Sequence, residues 1–156
     1  MGIRRRIKGS GSGSNDAVKQ FQLGFHYYQL PTGDRGTNLQ RSIECFTQAQ
    51  QFFSAEAAPY QYAATQTGLG AAYAGLPTGD RAANLARAID CFTQALRFVT
   101  AEAAPAQHGM IQQNLGNAYW ELPTGDRAAN LARAIDCYTQ ALRFVTAEDA
   151  DRKSVV

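Results

Sequence analysis

Apolar residues along this chain recur every three or four positions, in blocks divided by proline and glycine. From Arg81 onward, Leu85, Ala88, Ile89, Phe92, Leu96 and Val99 mark one face of a helix. Upstream, Leu69, Ala72 and Tyr73 hold helical spacing in an Ala-, Gln- and Tyr-rich stretch that Pro77 and Gly79 stop. Asp80 is placed to cap the next helix, because its carboxylate can accept bonds from the first unpaired N–H groups. Thr100–Ala104 reads as a short connector. Pro105 fits the first turn of a following helix, where its missing N–H does no harm. No alternation of period two is present. The pattern predicts six helices, near 16–29, 35–53, 59–75, 81–99, 105–121 and 127–145.

The same pattern returns at a fixed distance. L-P-T-G-D-R stands at Leu30–Arg35, Leu76–Arg81 and Leu122–Arg127, spaced 46 residues apart both times. Leu69–Glu102 and Leu115–Glu148 differ at only four of 34 positions: Ala71/Asn117, Ala74/Trp120, Gly75/Glu121 and Phe92/Tyr138. A period of this size signals an array in which one unit cannot bury both faces alone and neighbours stack into a continuous core. The expected fold is therefore all-α, an α-solenoid of three helix–turn–helix repeats at about 15–56, 57–102 and 103–148, with a tail at 149–156.

The signature inside each unit resembles the tetratricopeptide repeat. Its first part is Leu23-Gly24…Tyr27, Leu69-Gly70…Tyr73 and Leu115-Gly116…Tyr119; its second is Ser42…Phe46…Ala49, Ala88…Phe92…Ala95 and Ala134…Tyr138…Ala141. Gln20, Gln66 and Gln112 stand where the family has an early Trp, and 46 residues replace the roughly 34 of the standard unit. Both turns are lengthened while both helices keep their signature. Similar arrays containing L-P-T-G-D-R belong to large bacterial proteins, some with caspase-like CHAT protease domains; none is present here. The resemblance implies a scaffold that binds a protein or short peptide. It implies a concave groove lined by the first helix of each repeat. The matched groove positions are Phe21, Phe25 and Tyr28; then Ala64, Thr67, Ala71 and Ala74; then Met110, Gln113, Asn117, Trp120 and Glu121. Asn117 would bond a ligand backbone and Trp120 would anchor it. No Lys or Arg occupies these positions, so a clamp for a terminal carboxylate is not expected.

Charge refines the picture. The formal net charge is +2, but Arg4, Arg5, Arg6 and Lys8 hold the first eight residues and leave −2 on the chain from Asn15 onward. Gly9–Ser14 reads G-S-G-S-G-S, a flexible coil by composition and engineered in its regularity. Residues 1–8 are then an expression scar or a tethered peptide, and nucleic-acid binding through this arm is the weaker alternative. A stretch of the length needed to span a membrane is absent, as is the apolar core of a secretory signal, so the expected setting is cytoplasmic.

The candidate chemistry is sparse. Cys45, Cys91 and Cys137 occupy one register position and read as small buried residues rather than disulfides or metal ligands. His26 and His108 do not match in register. No phosphate-binding, zincin or nucleophile-elbow motif is present, and near-identical repeats are poor ground for an active site, which needs unlike groups converging on one point. The reading is of no enzyme, no cofactor and no metal. Asp34, Asp80 and Asp126, beside Arg35, Arg81 and Arg127, should form a mutually paired rim of turns. The second helix of repeat 3 keeps Ile135, Tyr138, Leu142 and Val145, the face its predecessor uses to hold a neighbour. That end should self-associate or be partly covered by the tail. A consensus-like structural fragment is the alternative to a peptide-binding scaffold.

Overall fold

The structure, a computed structural model, describes the backbone of residues 10–153 and the side chains of residues 13–143. Within them the chain forms six helices: α1 (Ser10–Gln29), α2 (Arg35–Gln50), α3 (Pro59–Gly75), α4 (Arg81–Leu96), α5 (Pro105–Glu121) and α6 (Arg127–Lys153). No strand occurs among the described residues. Each helix packs on the next, most extensively within the hairpins α1–α2, α3–α4 and α5–α6. The fold is an α-solenoid of helix–turn–helix units. Among the described residues α1, α3 and α5 touch one another in order, whereas α2, α4 and α6 touch only first helices. The first-helix layer is therefore the inner, concave side.

The three turns share one backbone conformation and one capping residue. Gly33, Gly79 and Gly125 take φ of 84°, 82° and 83°, a left-handed conformation that favours glycine. Asp34 accepts a bond from the Thr37 N–H at 2.7 Å, and Asp80 one from Ala83 at 2.9 Å. Asp126 caps α6 through the Ala128 N–H at 2.9 Å. Hydrogen bonding to the charged form lowers the Asp34 carboxyl below its ordinary value. The sequence reading missed a further member. Asn38, Asn84 and Asn130 are buried, and each donates Nδ2 to the carbonyl of Thr32, Thr78 or Thr124 at 2.8–2.9 Å. The repeated motif is thus L-P-T-G-D-R-x-x-N, readable in the sequence as it stands.

The expected Asp–Arg rim is corrected. Arg35, Arg81 and Arg127 turn away from the aspartates and donate to the carbonyls of Tyr28, Ala74 and Trp120, near the end of the preceding helix. A guanidinium there satisfies a carbonyl that the helix leaves open and complements its dipole.

Glycine sets the spacing within each hairpin. A Cβ on Gly24 would lie 2.7 Å from the Phe46 ring, one on Gly70 2.7 Å from Phe92, and one on Gly116 2.7 Å from Tyr138. Phe46 is held from both sides, since Gly68 of the next repeat also faces it, with 2.5 Å to an added Cβ. Ser42, in place of the expected small apolar residue, donates Oγ to the Gly24 carbonyl at 2.8 Å.

Four boundaries differ from expectation. α2 and α4 stop at Gln50 and Leu96, three residues early, so that Phe53 and Val99 fold back into the core from the turns that follow. α1 begins at Ser10, so most of the Gly/Ser run is helical rather than a flexible coil. Gly13 lies against Phe52, close enough that a Cβ would meet its ring at 2.7 Å. Tertiary contact outweighs poor helix propensity there. α6 continues unbroken to Lys153, so the tail does not break the helix and residues 149–153 cannot fold back over its face. The basic arm at 1–8 and Gly9 lie outside the described residues.

Candidate functional site

The inner layer carries a cleft of about 360 Å3. Phe25 of α1, Tyr60, Ala64 and Thr67 of α3, Val99 of the connector, and Gln107, Met110 and Ile111 of α5 line it. First helices of all three repeats thus meet at one place. No lining side chain is charged. Phe25 is held by edge-to-face contacts with Phe21 at 5.0 Å and Phe46 at 5.1 Å between centroids. Thr67 donates Oγ1 to the Ala63 carbonyl of its own helix at 2.9 Å. Tyr60 and Met110 stand at the mouth, 72% and 49% exposed. The floor is Ile111, which is buried.

Of the expected groove residues, the cleft brings together Phe25, Ala64, Thr67 and Met110. The others take different places. Phe21 belongs to the core, against Phe46 and Phe53 at 5.9 Å and 6.3 Å. Ala71 and Ala74 pack half-buried against the central core, and Gln113 is exposed outside the cleft. Tyr28 lies under the Arg35 guanidinium at 5.2 Å, and Trp120 under that of Arg127 at 5.4 Å.

The late-helix differences between repeats 2 and 3 prove to be coupled contacts. The Tyr138 hydroxyl, absent from Phe92, donates to Asn117 Oδ1 at 2.7 Å, and Asn117 replaces Ala71. Glu121, in place of Gly75, pairs with Arg81 of the preceding repeat. Trp120, in place of Ala74, forms the stack on Arg127. Asn117 Oδ1 is thus engaged within its own repeat. Trp120 stays 53% exposed.

Sequence reasoning missed Tyr60, Val99, Gln107 and Ile111. Tyr60 and Gln107 sit in the first turn of α3 and α5, upstream of the repeat signature, and Val99 lies beyond the end of α4. Tyr60 and Gln107 stand one and two residues after the prolines that start α3 and α5, and Val99 just before the connector, whereas Ile111 lies six residues after Pro105. A second regularity also went unread. Arg41, Arg87 and Arg133 stand over the rings of Tyr27, Tyr73 and Tyr119 at 5.4–5.7 Å, one stack per repeat. Each arginine comes from the second helix and covers the tyrosine of the first, a cation–π contact that also shields the ring from water.

The three thiols behave as packing atoms. Cys91 and Cys137 are buried and Cys45 half-buried, and all three are free. Burial, with Asp90 adding to it, pushes the Cys91 thiol up to about 11. Among the described residues no group of three His, Cys, Asp or Glu is placed to hold a metal, and no helix is long and apolar enough to cross a membrane. Comparison with family models, curated proteins and solved structures yields no match.

Proposed function

We propose that the chain is a tetratricopeptide-like array that binds a short extended peptide in the first-helix cleft and carries out no chemistry of its own. The observation that carries the reading is the convergence of Phe25, Thr67 and Met110, one from each repeat, on one uncharged cleft. Its floor and walls are apolar, and Thr67, Gln107 and the Tyr60 hydroxyl place polar groups around them. That combination fits an apolar side chain flanked by peptide backbone. A ligand seated there would touch three repeats at once, so its affinity would depend on their relative placement.

The test is a fluorescence-polarisation screen of short extended peptides against the whole chain. A binder with an apolar anchor is expected. Met110→Asp and Thr67→Arg, both at accessible positions of the lining, should each weaken it by at least about tenfold while helicity is kept. Binding that survives both substitutions, or a library without any binder, overturns the reading.

A further inference from the structure

The outer layer has an opening of its own. Among the described residues α2 and α4 do not touch one another, and between them α3 forms the floor of a groove of about 530 Å3. Thr47 and Gln50 stand on the α2 wall, and Ala86, Arg87 and Asp90 on the α4 wall. Leu69 and Cys91, both buried, give the groove an apolar strip. It shares no lining residue with the first-helix cleft, so it stands independently of peptide binding.

One floor residue does not suit a surface made only for packing. Gln66 is 5% exposed, and its amide has no hydrogen-bond partner among the described residues. Neither of its polar atoms is sealed off, so the little surface it keeps opens into the groove. A buried amide without a bond is costly, and a ligand that bonds it removes that cost. Gln50 brings a second amide from the facing helix. The charges on the α4 wall are open as well. Arg87 and Asp90 are three residues apart, near enough on one helix to pair, yet no ion pair joins them. Arg87 stacks instead over the Tyr73 ring at 5.4 Å, which steadies the guanidinium and leaves its N–H groups for an anion. The Asp90 carboxylate is exposed beside it, with no cation or hydrogen-bond donor as partner among the described residues.

We propose that this groove binds a free α-amino acid with an amide side chain, such as glutamine. Arg87 takes the carboxylate and Asp90 the ammonium. The methylene stem lies along Leu69 and Cys91, and the side-chain amide meets those of Gln66 and Gln50, which offer donors and acceptors alike. Asp90 repels a simple anion and Arg87 a simple cation, whereas a zwitterion satisfies both. A free amino acid carries both charges on one carbon; the end of a peptide chain keeps one of them. Eight of the nine lining positions recur 46 residues on, at the next junction, and the ninth, Gln50, becomes Leu96. The second junction therefore lacks one wall amide, and the chain holds one site.

Isothermal titration calorimetry of the whole chain with L-glutamine tests this. Saturable binding at one site per chain is expected. Glutamate adds a charge, leucine lacks the amide and N-acetylglutamine lacks the ammonium, so each should bind at least about tenfold more weakly. Asp90→Asn, at an exposed position, and Gln66→Leu, of similar volume, should each weaken glutamine by at least about tenfold, with circular dichroism checking that the helices are kept. Asp136→Asn, the matching change at the next junction, should leave binding unchanged. Leu96→Gln should raise the stoichiometry from one to two. The proposal is overturned by an absence of saturable binding at millimolar glutamine, by binding that survives Asp90→Asn and Gln66→Leu, or by analogues that bind as well as glutamine. A stoichiometry that stays at one in Leu96→Gln, or binding lost in Asp136→Asn, overturns it too.

Discussion

Replacing Asn84 with alanine removes the amide that holds the second turn closed. The Thr78 carbonyl loses its 2.9 Å donor in a part-buried site, and an orphaned polar group of this kind costs about 1–2 kcal/mol. Thermal unfolding of Asn84→Ala should report that loss. Gly68→Ala tests the opposite fault, overpacking. Its Cβ would fall 2.5 Å from the ring of Phe46, a fully buried side chain. A destabilisation of about 1–3 kcal/mol is expected from urea unfolding. The thiol of Cys91 gives a pH signature. Its folded value is raised from 9.0 to about 11, so the fold favours the protonated form. That contribution is fully present below pH 9 and is lost as pH rises from 9 to about 11. The urea midpoint of the native chain should therefore fall over this window more than that of Cys91→Ala.

Helix by helix, the second helices were the most legible. Their apolar residues lie on one stripe, with an aspartate cap before them and a glycine before that. The first helices of repeats 2 and 3 show no clean stripe, α3 being small or apolar on most sides and α5 interrupted by Gln112, Gln113, Asn114 and Asn117, and only proline and the L-P-T-G-D-R turn bounded them. Ser10–Ser14 was illegible for a different reason. Nothing local favours a helix there, and the deciding contact, Gly13 on Phe52, joins residues 39 positions apart. The cleft was half legible. Phe25, Thr67 and Met110 follow from register, whereas Val99 enters only because α4 ends early. Asn117 was read as a ligand group because an unlike residue in a near-identical repeat draws attention. Its hydroxyl partner, Tyr138, was another of the same four differences, 21 positions away. A double-mutant cycle on Asn117→Ala and Tyr138→Phe should give a coupling energy of about 0.5–1 kcal/mol.

Across the whole molecule, stability should follow position in the stack. Among the described residues α3 and α4 have a neighbouring repeat on each side, whereas α1 and α6 pack against a repeat on one side. In a chain whose contacts are nearly all between adjacent units, openings begin at the ends. Amide hydrogen exchange should therefore be slowest in α3 and α4 and faster in α1 and α6. A native state in which α6 is the slowest would contradict this.

The Tyr138–Asn117 bond bears on how the chain finds its fold at all. Leu69–Glu102 and Leu115–Glu148 share 30 of 34 positions, so during folding the C-terminal halves of α5 and α3, from Leu115 and Leu69 on, offer α6 two similar mates. Near-identical neighbours are prone to such exchange. The wrong pairing would set Tyr138 against Ala71 and the reciprocal error Phe92 against Asn117, each losing the bond and leaving its polar group to water. This hydrogen bond is one of the distinctions between the partners, beside the other positions at which α3 and α5 differ. Asn117→Ala combined with Tyr138→Phe erases that distinction while leaving both hairpins packed. Refolding followed by stopped-flow fluorescence should then gain a slow phase, the time spent undoing mismatched hairpins.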